Sequence, residues 1–215
     1  MGSFKQHLTC AIIGGAACGT GGMYLYNISY EDAAASALLC IFGGILPDID
    51  CPVSKPADFI VRIFSVLGPV FLLQILPNTY LTPSKILIIA IAGYLLALYG
   101  IRELIKRFTV HRGIIHSIPA AIIWGAIAFL AYRNSSRTMQ NIAASSAAIG
   151  YMIHLIIDEI FSLVDISGGK FTPKKSSGSA LKFFSKSLLV NFLAYSFLLF
   201  MLYLCALQAG ILNKI

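Results

Sequence analysis

Between Lys186 and Lys214 the chain runs for 27 residues without a charged side chain. About 20 consecutive apolar residues at 1.5 Å each cross a hydrocarbon layer roughly 30 Å thick, so a stretch of this kind folds as a membrane-spanning helix. It is the last of seven apolar segments, at about 8–25, 30–46, 59–76, 86–101, 114–132, 141–164 and 187–212. Of the 215 residues, 58% are hydrophobic and 12% charged. A soluble domain of that length carries roughly 25% charged residues, so a soluble enzyme is excluded. The expected fold is all-α: a polytopic membrane helical bundle of about six to seven segments, with residues 1–215 forming one domain. The first segment holds Gly14, Gly15, Gly19, Gly21 and Gly22, suited to close helix packing, and reads as a retained helix rather than a cleaved signal. The second opens on Ser29-x-x-Asp32, a capping pattern, and stops at Pro47. These first two are short and are expected to form a partly sunken hairpin. The cysteines show neither metal-type pairing nor a disulfide framework.

If the chain crosses at each segment, twelve of the 16 lysines and arginines fall on the side of the N-terminus. The other side keeps Lys85, Arg133, Arg137 and Lys214. The positive-inside rule places the richer side in the cytoplasm. All four histidines fall at that same face. His7 precedes the first segment, His111 and His116 flank the entry to the fifth, and His154 lies in the last third of the sixth. Three of the nine acids join them: Asp48 and Asp50 in "LPDID", and Asp158 one turn after His154.

Taken singly, each has an ordinary reading. His7 is an interfacial residue, the two aspartates make a turn, His111 and His116 cap a helix, and His154 with Asp158 form a packing contact. Their convergence on one membrane face favours a metal site, because a buried carboxylate or imidazole is costly unless paired or bound to a cation. His154 and Asp158, spaced i, i+4, share a helix face. His7, Asp48, Asp50, His111, His116, His154 and Asp158 exceed one tetrahedral shell and suit two divalent ions sharing carboxylates. The mixed nitrogen and oxygen set favours zinc, with manganese or iron as alternatives. Asp50 and Asp158 are the candidate proton acceptors. Arg112 and Ser117 are candidate substrate contacts, and Glu159 points elsewhere on its helix.

Together His7 and its glycines, "LPDID", "HRGIIHS" and "GYMIHLIID" resemble the YdjM-type inner-membrane metal-dependent hydrolases. That bacterial family is distantly similar to the zinc phospholipase C and nuclease P1 group. The resemblance covers roughly residues 1–165, and departs from the family at Cys51, where a histidine often follows the second aspartate. It implies a metal-dependent hydrolase of the bacterial inner membrane, with a phosphoester as the bond cleaved. The expected partners are the bilayer and an anionic, phosphate-containing lipid or lipid-linked substrate, drawn by Arg62, Lys106, Arg107 and Arg112. No nucleic-acid partner is expected. The alternatives are a metal or ion transporter, and a membrane scaffold or regulator with a structural metal.

Overall fold

The computed structural model describes residues 3–50, 58, 61–62, 65–66, 69, 73, 82–108, 114–163, 181–185 and 187–211, apart from the side chains of 49–50, 101–102, 104–108 and 163. Every regular element among them is helical. They are α1 (Phe4–Tyr26), α2 (Tyr30–Ile45), a 3-10 turn (Leu46–Asp50), α3 (Pro83–Phe108), α4 (Ile118–Ala131), α5 (Arg137–Leu163) and α6 (Leu188–Gln208). Two compact units divide them: Met1–Pro47 with Arg112–Ile215, and Asp48–His111.

Four described helices are long and apolar enough to cross a membrane: Phe4–Tyr26, Pro83–Gly100, Arg137–Ser162 and Leu188–Gln208. This is fewer than the six or seven segments expected from hydropathy, for identifiable reasons. The first segment, expected to be short, is long enough for a full span, because Ser3 caps α1 well upstream of the apolar run. With 23 residues, α1 reaches about 35 Å. By contrast α2 has 16 residues and opens with Glu31 and Asp32. The fifth segment contracts to the 14 residues of α4, about 21 Å, because Ser117 starts the helix later than the apolar run does. The third segment falls largely outside the described residues.

In the first unit, α1 packs on α2, both pack on α5, and α4 lies between α5 and α6. Small residues permit this. A Cβ on Gly15 would lie 2.7 Å from the Ala37 carbonyl oxygen, and one on Gly19 an equal 2.7 Å from that of Ala33. Gly150 on α5 likewise meets the Cys40 carbonyl of α2 with no room for a side chain. In a bilayer, where burial of apolar surface no longer drives association, such close van der Waals contact holds helices together. Ser36 of α2 and Ser146 of α5 add a buried hydroxyl pair at 2.8 Å.

The connections sort the helix ends. Asn27, left-handed at φ 54°, caps α1, and Ser29 starts α2 by accepting the Asp32 N–H at 3.1 Å, as its sequence pattern predicts. Ile28 packs beside Met139, Ile142 and Ala143 of α5, which fixes this turn at one end of the bundle. The start of α1, the end of α2, the start of α4 and the end of α5 therefore meet at the other. In the second unit, Gly93 of α3 approaches Pro69, and Asp58 accepts from Arg62 at 2.7 Å.

Candidate metal centre

Three helix ends bring four polar side chains into one buried place. His7 comes from the second turn of α1, His116 from the turn before α4, and His154 and Asp158 from the last third of α5. Their exposures are 2%, 1%, 0% and 1%. The periodicity that buries one face of α5 puts Tyr151, His154, Leu155 and Asp158 on that face.

Asp158 is the hub. Its Oδ1 lies 3.2 Å from His7 Nε2, and its Oδ2 lies 3.8 Å from His116 Nε2 and 3.9 Å from His154 Nε2. The His7 and His154 rings stack at 4.0 Å between centroids, and His116 meets His154 edge-on at 5.5 Å. The His154 tautomer follows from its other nitrogen, which lies 2.8 Å from the carbonyl oxygen of Gly44. A carbonyl only accepts, so Nδ1 carries the hydrogen, and Nε2 is the ring nitrogen left facing the carboxylate. Proteins orient metal-binding imidazoles by this kind of bond from the far ring nitrogen.

Imidazole and carboxylate edges that face each other in a buried site can share a positive charge placed between them. A proton on one imidazole answers one such edge. A divalent cation answers all of them at once. Zinc bonded to nitrogen and oxygen at 2.0–2.2 Å places neighbouring tetrahedral ligands about 3.3–3.6 Å apart, and the three separations around Asp158 straddle that range. His7, His154 and Asp158 each offer a ligand atom, all within 4.8 Å of one another. The donor set fits a divalent ion of borderline softness.

The turn that delivers His116 is held from several directions. The Ile115 carbonyl accepts from Ser117 N at 3.0 Å and from the Tyr151 hydroxyl at 2.5 Å. Ser117, expected as a substrate contact, is fully buried; its hydroxyl donates to the Ile114 carbonyl and accepts the Ala120 N–H at the start of α4. Ile118 N donates to the Lys182 carbonyl at 3.1 Å, which ties in the 181–185 segment. That segment is fastened to α6 by paired hydrogen bonds between Ser185 and Asn191, at 2.6 and 2.9 Å, and by the Phe184–Tyr195 stack. Phe183 and Phe184 remain exposed.

Of the other expected ligands, Asp48 is half-buried in the 3-10 turn that follows α2, within the second unit. Asp50 ends that turn, with its side chain outside the described set, and His111 and Arg112 also lie outside the described residues. Glu159 is half-buried beside the Asp158 position. Sequence reasoning missed Tyr151 and the Gly44 carbonyl. Tyr151 was findable as a polar side chain at i−3 from His154 and i−7 from Asp158; a backbone carbonyl carries no sequence signal.

The fold and this cluster define an all-helical membrane protein with a buried histidine–aspartate set able to hold a metal ion. The chain belongs to the YdjM inner membrane protein family, whose model matches residues 5–212. The match runs past these motifs to include α6, beyond the roughly 165 residues that the motif resemblance covered. No curated protein and no solved structure matches the chain.

Proposed function

We propose that this protein is a membrane-bound metal-dependent hydrolase that cleaves a phosphoester of a lipid or lipid-linked substrate at the cytoplasmic face of the inner membrane. The observation that carries the reading is the convergence of three imidazoles on one buried carboxylate, with His154 pinned through its far nitrogen. A divalent ion bound there, zinc foremost and manganese or iron next, supplies Lewis acidity and lowers the pKa of water to near neutrality. His7, His116, His154 and Asp158 would hold one such ion; Asp48, Asp50 and His111 are the ligands that the sequence offers for a second.

The chain's own groups do the rest. Asp158 or Asp50 accepts the proton released from water. Arg112, with Lys106 and Arg107 from the last turn of α3, draws the anionic phosphate to headgroup depth. Burial of the cluster keeps bulk water from competing and strengthens the electrostatic contacts.

Elemental analysis of the purified protein, followed by phosphoester hydrolysis assays, tests the reading. Stoichiometric zinc, manganese or iron and phosphate release from a lipid phosphoester are expected. Protein that arrives metal-free and cannot be reloaded would sink it, and metal flux into proteoliposomes without hydrolysis would move it to the transporter class. Single-cysteine labelling from each side should place residue 175 in the cytoplasm and residue 135 outside; the reverse would turn the site outward.

A further inference from the structure

We infer that Tyr151 is the positioning residue that sets His116 against Asp158, through the carbonyl of Ile115. The inference rests on the metal-site reading and assigns the part of the bundle that delivers its third imidazole.

His116 is the one member of the cluster that no helix carries. His7, His154 and Asp158 are placed by α1 and α5, whereas His116 sits two residues before the start of α4. Something other than helix geometry must fix its backbone. The Ile115 carbonyl closes a three-residue turn around His116 by accepting Ser117 N at 3.0 Å, and a turn this short is not rigid alone. The same oxygen accepts the Tyr151 hydroxyl at 2.5 Å, using its second lone pair. Tyr151 is 2% exposed and packed with Ala121 and Leu155 against Leu46, Ala120, Trp124 and Met152. Its ring is thus packed among residues of α4, α5 and the 3-10 turn that follows α2. It also lies one turn before His154 and two before Asp158 on the same face of α5. One helix face therefore presents two of the cluster's groups and the hydroxyl that holds a third, so all three move as a unit.

The role is orientation rather than ligation: the hydroxyl donates to the Ile115 carbonyl, and Phe at this position keeps the ring while removing that hydroxyl. Loss of a group that orients a metal ligand weakens metal binding roughly 10–100-fold. The test uses the full chain in detergent, with cobalt(II) as the probe, in the parent, Tyr151→Phe and His116→Ala. Expected are a four-coordinate visible band in the parent, about 10–100-fold weaker cobalt binding in Tyr151→Phe, and a spectrum displaced toward that of His116→Ala. An unchanged melting temperature of metal-free Tyr151→Phe would separate positioning from general support of the fold. A second measurement needs no metal. Carbethoxylation of the apo protein, mapped by mass spectrometry, should proceed faster at His116 in Tyr151→Phe, with His7 and His154 unchanged. Parent-like cobalt affinity and spectrum in Tyr151→Phe overturn the proposal, as does parent-like His116 reactivity. A parent that binds no cobalt removes the metal reading alone, and the His116 reactivity then decides the role of Tyr151.

Discussion

The two ends of the helical unit are both polar, yet they are polar in opposite ways. At the end where α5 begins, donors meet acceptors. Arg137 donates to the Gln140 side chain and to the Gln208 carbonyl, each at 3.0 Å, and its guanidinium lies 5.3 Å from the centre of the Phe129 ring. Gln140 donates to the Arg133 and Ser135 carbonyls at 3.3 and 3.0 Å, and Gln208 donates to the Phe129 carbonyl at 3.3 Å. At the end where α5 finishes, acceptors converge. The Nε2 of His154 lies 3.9 Å from a carboxylate oxygen of Asp158, and two further imidazoles crowd the same aspartate. The first end is a network of donors bonded to acceptors. The second could hold a cation, and that difference separates a helix cap from a candidate site.

The comparison breaks most sharply at Asp158. Asp158→Asn preserves shape and removes the charge that a dication requires. Metal affinity should fall by more than the roughly 10–100-fold that loss of an outer orienting group costs, and hydrolysis should go with it. Glu159→Gln, the matched neighbour, should keep both. If the Asp158→Asn protein holds metal like the parent, the two ends are alike and the cluster is a packing feature.

A thermal measurement sharpens the same contrast. Saturating metal at 100 times its dissociation constant adds about 2.7 kcal/mol to the folded state. The parent and Arg137→Leu should both gain a higher Tm with metal; His154→Ala should gain little. Equal gains in all three would place the metal elsewhere.

Arg137→Leu itself should cost the helical unit about 0.5–1.5 kcal/mol, since it removes the exposed bond to the Gln208 carbonyl and loosens Gln140. Denaturant melts in detergent would show this as a lower midpoint with metal stoichiometry intact. A loss of metal in that variant would mean that the two ends are coupled along α5.

The smallest effect is at the membrane surface. Phe183 and Phe184 stand exposed on a segment bound both to α6 and, through the Lys182 carbonyl, to Ile118 beside the metal cluster. Aromatic rings at headgroup level are expected to sit in the interface. Phe183→Ser with Phe184→Ser should reduce lipid quenching of a fluorophore on this segment; unchanged quenching would describe a solvated loop.

Much of this was written in the residue order. The apolar runs alone dictate a helical membrane protein, because a bilayer leaves a backbone no other way to satisfy its N–H and C=O groups outside a closed barrel. The glycines of α1 announce close packing, and Gly15 and Gly19 take it up against α2. His154 and Asp158 follow from 3.6-residue periodicity, so their shared face could be read directly. Hydropathy misjudged span lengths where a capping serine set the true helix start: Ser3 lengthens α1, and Ser117 shortens α4.

Tertiary structure alone decided which of the seven candidate ligands meet within the helical unit. His7 and Asp158 are 151 residues apart in sequence and 3.2 Å apart in space, a distance set by where α1 rests on α5. The Gly44 carbonyl that orients His154, and the Tyr151 hydroxyl that bonds the Ile115 carbonyl beside His116, come from contacts between helices. Periodicity describes a single helix against its surroundings. Bringing His7, His116 and Asp158 together depends on the crossing of several helices, and that is settled by side-chain shape at contacts such as Gly150 against Cys40.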